Sequence, residues 1–309
     1  MKTITNGLKP TLMKLKHTIF SLFLLGILSL PLLSQDSGSG TLPHKWNELT
    51  APDFVKALEL SDGICLLPAG IIEKHGPHLP LSTDLILSRE IASRAAELEY
   101  AIVFPEFYFG QIYEAKHQPG TVAYSTELVW KMLEETCEEM SRNGIKKIII
   151  VNGHGGNNNL FGYFCQAQLA KRKDYTVVFF QPNDRELDAE VRKLRNTDYG
   201  GHADEEETSM VYAVRPELVH ADKASSQSGK DQERLSIPYG YAGIWWYSSF
   251  PNHYAGDGSE PNKTIGEMIF KSRSEQLAEL VKFLKEDDTA SKLQEIFYDQ
   301  AENPVETGQ

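Results

Sequence analysis

The sequence is poor in the features that nucleic-acid and nucleotide-binding proteins need. Lys and Arg number 31 against 43 Asp and Glu, a net charge of −12, which argues against nucleic acid and anionic membrane surfaces as partners. No P-loop lysine accompanies a glycine-rich turn, and no G-x-S-x-G elbow occurs, which weakens a serine-hydrolase reading. Cysteine is scarce. Cys65, Cys137 and Cys165 make an odd number without paired spacing. Cys65 lies in a strand-like run and the other two in helix-like runs, so all three read as buried free thiols, with a bond between two of them left open if the protein is exported. Internal repeats and a second compositional regime are also missing. With 309 residues, 41% hydrophobic and 24% charged, the chain has material for one domain with a sizeable core.

One apolar run stands apart. Lys2, Lys9, Lys14 and Lys16 precede an apolar segment at 19–33, the pattern of a secretory signal and short for a membrane span. Leu32 lies where a small residue is favoured before cleavage, so an uncleaved N-terminal anchor is the alternative. No cysteine follows the run, which argues against a lipid anchor. Residues 1–34 are therefore expected to direct export, to the periplasm or the exterior. Residues 35–45, with Ser37-Gly38-Ser39-Gly40, read as a linker. Without residues 1–34 the basic count falls from 31 to 27 against 43 acidic residues, a balance of −16.

Beyond the linker, apolar runs at 64–67, 101–104, 147–151 and 176–181 read as strands. Segments 85–98, 126–143 and 158–173 carry apolar residues at helical spacing. Ser125 or Thr126 can cap the second of these, and Gly144 can stop it. Further helices are expected at 184–195, at 205–214 and, at greater length, near 263–285, with a glycine- and aromatic-rich stretch at 239–254 before the last. Strands alternating with helices imply an α/β fold with a parallel sheet covered on both faces. The domain is expected over 46–287. A polar tail at 288–309 reads as a short helix and a frayed end.

Open parallel sheets form their sites outside the carboxyl ends of the strands, and the chemistry-bearing residues fall there. Just beyond the first strand, Glu73-Lys74-His75-Gly76-Pro77-His78-Leu79-Pro80-Leu81-Ser82-Thr83-Asp84 gathers two carboxylates and two imidazoles in a bent segment. Glu73 and His75, two residues apart, point the same way on an extended chain, and Asp84 can fold back to meet them. Mixed oxygen and nitrogen donors suit zinc, manganese or iron(II) better than calcium. The plain alternative is a charged surface loop. After 147–151, Asn152-Gly153-His154-Gly155-Gly156-Asn157 brings His154 to the sheet edge. It is not a dinucleotide loop, because Asn158 stands where the last glycine of G-x-G-x-x-G belongs. A third cluster, His202-Ala203-Asp204-Glu205-Glu206-Glu207-Thr208-Ser209, opens a helix. The helix dipole alone favours acids there, so Glu205 and Glu206 read as surface acidity. Spacing does not single out Glu207.

Together these three segments, with Pro119-Gly120-Thr121 after His117, resemble the creatininase family, and they occur in family order over most of the mature chain. The resemblance implies a three-layer αβα fold with a mainly parallel central sheet, a centre of two divalent metal ions (Zn, Mn or Fe), and hydrolysis of a non-peptide or cyclic C–N bond. It also implies a homo-oligomer, hexameric in many members. Carried over by motif, Glu73 and His154 would hold one metal, His75 the other, and Asp84 would bridge them. Where creatininase has a second-site Glu, two residues after the ligand His, this chain has Gly156. Glu207 would then complete the second site, as in branches that hydrolyse formamides or trim peptides. Gly155 replaces a bulky aromatic that shapes the creatininase pocket, which puts creatinine specificity in doubt.

Two cations sharing a bridging water would bring its pKa towards neutrality, and an acid must protonate the leaving nitrogen. His202 is the candidate, since imidazole titrates in the right range. His78 and His117 are weaker candidates for support or substrate contact. Trp245, Trp246, Tyr247, Phe250 and Tyr254 could wall a pocket or an interface. The expected activity is metal-dependent hydrolysis of a small amide, formamide or cyclic amide. The alternatives are a metallopeptidase trimming short peptides and a non-catalytic metal- or ligand-binding homologue of the envelope.

Overall fold

Apolar runs too short for helices build the sheet. Strands β1 (Ile64–Ala69), β2 (Ile102–Val103), β3 (Lys147–Asn152) and β4 (Thr176–Phe179) pair in the order β2-β1-β3-β4, every pairing parallel. The computed structural model describes residues 42–198 and 200–307. The expected signal or anchor over 1–34 lies outside the described residues, as does the linker as far as residue 41. Among the described residues, no helix is long and apolar enough to cross a membrane.

Side chains alternate across the sheet, and that alternation creates two cores. Ile64, Leu66, Ile149 and Val151 face one cluster, and Cys65, Leu67, Ile148 and Ile150 face the other. Helices α1 (Ala51–Leu60), α3 (Thr126–Arg142) and α4 (Asn158–Ala167) close the second. Helices α2 (Thr83–Leu98), α5 (Arg185–Leu194), α6 (Glu205–Val214) and α8 (Lys263–Glu286) close the first. The three-layer αβα arrangement follows directly. A short α7 (Trp245–Ser249) lies in the aromatic stretch, and α9 (Thr289–Glu302) ends the chain.

Some element bounds differ from expectation for local reasons. Helix α1 was not foreseen. It starts at Thr50, whose hydroxyl accepts from Asp53 N at 3.3 Å, with a proline in the first turn. Ser125 caps α3 and Gly144, at φ 102°, terminates it. Helix α4 stops at Ala167 and passes into a 3₁₀ turn. In place of a short tail helix, α9 runs 14 residues and docks by Tyr298, whose buried hydroxyl donates to Gln168 O at 2.9 Å. All three cysteines are free. Cys65 and Cys137 are buried, and Cys165 only partly so.

Candidate metal centre

The turn after β3 approaches the first turn of α2 because Gly153 has no side chain. A Cβ there would lie 2.1 Å from Asp84 O. Beyond β1, the chain bends at Gly76 (φ 57°), and Glu73 N donates to Leu81 O at 3.0 Å. That fold-back places Asp84 in the first turn of α2, where the helix dipole favours a carboxylate. Glu73 and His75 are not on a strand, yet both are fully buried and converge with Asp84.

Asp84 divides its two oxygens. Oδ1 lies 2.9 Å from His75 Nε2, and Oδ2 lies 3.4 Å from His154 Nδ1. Glu73 Oε1 is 2.9 Å from the same His154 Nδ1, and Glu207 Oε2 is 3.9 Å from His75 Nε2. Among the described residues, Glu73–Asp84–His154 and His75–Asp84–Glu207 each bring three ligand atoms together, and Asp84 belongs to both. A third grouping is Glu73–His75–His202.

The imidazoles are oriented for this. His154 Nε2 donates to Gln111 O at 2.9 Å, and His75 Nδ1 to Glu73 O at 3.3 Å, which leaves His154 Nδ1 and His75 Nε2 facing the carboxylates. Glu73 Oε1 and Asp84 Oδ2 are buried without a hydrogen-bond partner. Orphaned carboxylate oxygens facing imidazole nitrogens are what a divalent cation satisfies, and the mixed O/N set fits zinc, manganese or iron(II).

The fields are correspondingly strong. Burial works against charge on Glu73, but the imidazoles of His154 and His202 outweigh it and hold the carboxyl well below its usual range. Burial likewise opposes charge on His75 and His154. The facing carboxylates, Asp84 for His75 and Glu73 for His154, raise them to about 10 and about 9. Burial raises Glu207 and lowers His202.

Helix α6 delivers Glu207. Asp204 caps it, accepting from Glu206 N and Glu207 N, and Glu207 Oε2 accepts from Ala203 N at 2.6 Å. His202 is not the cap. Its Nε2 donates to Lys74 O at 3.0 Å, and its Nδ1 lies 3.9 Å from Glu207 Oε2. Glu205, expected at the surface, is fully buried. It accepts from Asn196 N, Thr197 N and the Thr197 hydroxyl.

The supporting candidates separate. His78 stays outside the ligand groups. It bonds the Thr208 hydroxyl at 2.8 Å, and burial drives its pKa down to about 4. His117 is away from the centre, bonded to Pro251 O at 2.9 Å and edge-on to Tyr247. With Trp245, Trp246 and Glu114 it borders a cavity of about 600 Å³. Gly155 borders another of about 530 Å³ that reaches His154 and Glu207, and a Cβ on Gly155 would meet nothing within 4 Å. At Gly156 a Cβ would lie 2.3 Å from His154 Nε2, so this imidazole placement excludes a side chain there. One neighbour went unread in the sequence. His253, within the aromatic stretch, is buried with Nε2 donating to Glu73 Oε2. A histidine amid seven aromatics was its only signal.

The sequence profile of the creatininase family, described as creatinine amidohydrolase, matches residues 47–281. The chain belongs to the creatininase family of amidohydrolases. Over 191 residues it is 26% identical to the creatinine amidohydrolase of Pseudomonas putida, covering 57% of this chain and 74% of that protein. It is 31% identical over 164 residues to the mycofactocin precursor peptide peptidase of Mycolicibacterium smegmatis, covering 51% of this chain and 60% of the relative. A Bacteroides fragilis structure, named as a candidate creatinine amidohydrolase, superposes with a TM-score of 0.68 at 24% identity, covering 81% of this chain and 99% of that one. Other solved creatininases of this fold, at TM-scores of 0.67 and 0.66, include a Zn-Zn type and a Mn form. The creatininase family thus accounts for the αβα layers, and the side chains clustered at the carboxyl edge of the sheet are candidates for holding a metal.

Proposed function

We propose that this protein is a metal-dependent amidohydrolase that cleaves the C–N bond of a small amide, formamide or cyclic amide at a centre for two divalent ions. The sharing of Asp84 between two ligand groups carries the reading. Glu73, Asp84 and His154 would hold one ion, and His75, Asp84 and Glu207 the other. Bound there, a pair of divalent cations supplies a water that is nucleophilic near neutral pH and polarises a carbonyl.

The residues provide the rest. His202 is lowered by burial and so neutral at pH 7, with Nε2–H on Lys74 O. Its Nδ1 is free to take a proton beside Glu207 and return it to the leaving nitrogen. Glu207 would serve where Gly156 leaves no side chain. The open space above Gly155 admits a substrate bulkier than one enclosed by an aromatic at that position. That space, with the peptidase relative, favours peptide trimming as the second reading. Export through residues 1–34 and homo-oligomeric, hexameric assembly complete the proposal.

The test is direct. Protein loaded with zinc or manganese is assayed against cyclic amides, formamides and short peptides, with metal content measured in parallel. Turnover of an amide or formamide with about two ions per chain is expected. Folded protein that takes up no metal would refute the reading, and cleavage confined to peptides would select the second.

A further inference from the structure

We infer that His253 is a positioning residue of this centre: its Nε2–H, fixed in that tautomer by the Trp246 indole, holds one oxygen of Glu73 so that only the other faces His154 and Asp84. The inference rests on the metal-centre reading above. His253 belongs to none of the ligand groups among the described residues. Trp246 Nε1, which can only donate, lies 2.9 Å from His253 Nδ1. Nδ1 therefore accepts, the hydrogen sits on Nε2, and Nε2 donates to Glu73 Oε2. Glu73 Oε1 is left as the atom 2.9 Å from His154 Nδ1, without a hydrogen-bond partner. The terminal torsion of a glutamate is broad. An unheld Glu73 carboxylate would present either oxygen, or both. The His253 bond removes that freedom.

The backbone supports the same conclusion. His253 has φ 51°, a left-handed conformation that is uncommon outside glycine, histidine being among the side chains that adopt it more readily. The turn is pinned to the loop that carries Glu73: Gly76 N donates to His253 O at 3.4 Å, and Lys74 Nζ to Asn252 O at 2.6 Å. A backbone suited to glycine thus carries an imidazole that reaches a buried carboxylate.

The tests separate this role from the centre itself. His253→Gly removes the donor and leaves Glu73 Oε2 and the Trp246 N–H without it, so the metal-stripped variant should fold but melt somewhat below the wild type. Its zinc affinity, measured by competition with a chromophoric chelator, should fall about 10- to 100-fold at one site. Its cobalt-loaded form should show a shifted visible spectrum, because both Glu73 oxygens become free to coordinate. His253→Gln, which returns an N–H near the position of Nε2, should recover most of the affinity. Trp246→Phe, which frees the tautomer, should lie between. Should His253→Gly fail to fold, His253→Asn, tolerant of the same backbone, replaces it. Wild-type protein that binds neither zinc nor cobalt would overturn the metal centre. Wild-type protein that loads normally, with a glycine variant matching it in affinity and cobalt spectrum, would overturn the role of His253 alone.

Discussion

Glu207 Oε2 stands 3.9 Å from His75 Nε2, although one residue lies on α6 and the other in the loop after β1. The Ala203 N–H holds that oxygen and turns the side chain back towards the sheet. Glu206 instead pairs with Arg195 at 2.7 Å, and Glu205 is buried beneath Asn196 and Thr197. Three consecutive glutamates meet three environments, and one of them reaches an imidazole of the centre.

Glu207→Gln should therefore cost one ion. It keeps the shape and removes the charge, so metal content should fall from about two ions per chain to about one. Losing several kcal/mol of charge stabilisation lowers turnover by on the order of 100-fold or more. Glu206→Gln is the control and should keep both. Equal losses in the two variants, by metal analysis and rate, would contradict the assignment.

Adjacent glycines should respond in opposite ways. Gly156→Ala forces a Cβ to within 2.3 Å of His154 Nε2. Displacing the imidazole from Gln111 O should cost about 1–3 kcal/mol and weaken metal binding. Gly155→Ala enters open space and should stay within about 0.5 kcal/mol. Urea unfolding of both variants, with metal analysis, decides.

Protons and metal should compete. His75 and His154 are raised to about 10 and about 9 by the facing carboxylates, against the effect of burial. Folded values above the unfolded value of about 6.5 have a definite sign. In chelator-stripped protein, these contacts stabilise fully below about pH 6.5 and lose their contribution as pH rises through 9 to 10. Zinc must displace the same protons. Calorimetry near neutral pH, in buffers of different ionisation enthalpy, should show proton release, and the zinc-induced rise in Tm should grow with pH up to 9. Zinc binding without proton release would refute this.

Leu133→Ala, in the core beneath α3 and fully buried, should cost about 2–5 kcal/mol while metal stoichiometry is unchanged. Loss of metal together with stability would mean that the far core and the centre are coupled.

Much of this was legible from local pattern. Runs such as residues 147–151 are apolar because both faces of a parallel sheet are covered. Glu73, His75, Asp84 and His154 stand out because polar donors beside buried strand ends are unusual. Glu205 misled because a charge run looks solvated until a loop such as 196–197 folds over it and supplies backbone donors. Helix α1 went unread because its start depends on the Thr50 cap and a first-turn proline more than on apolar spacing.

Residue types and their order along the chain were enough to establish alternating strands and helices and the family, and to point to a candidate site at the carboxyl edge. Which carboxylate meets which imidazole depended on the tertiary structure. That pairing requires Gly153 to let β3 approach the Asp84 backbone, Ala203 to turn Glu207 inward, and Trp246 to fix His253 against Glu73. The Gly153–Asp84 approach and the His253–Glu73 bond join segments far apart in sequence, and no local spacing encodes them.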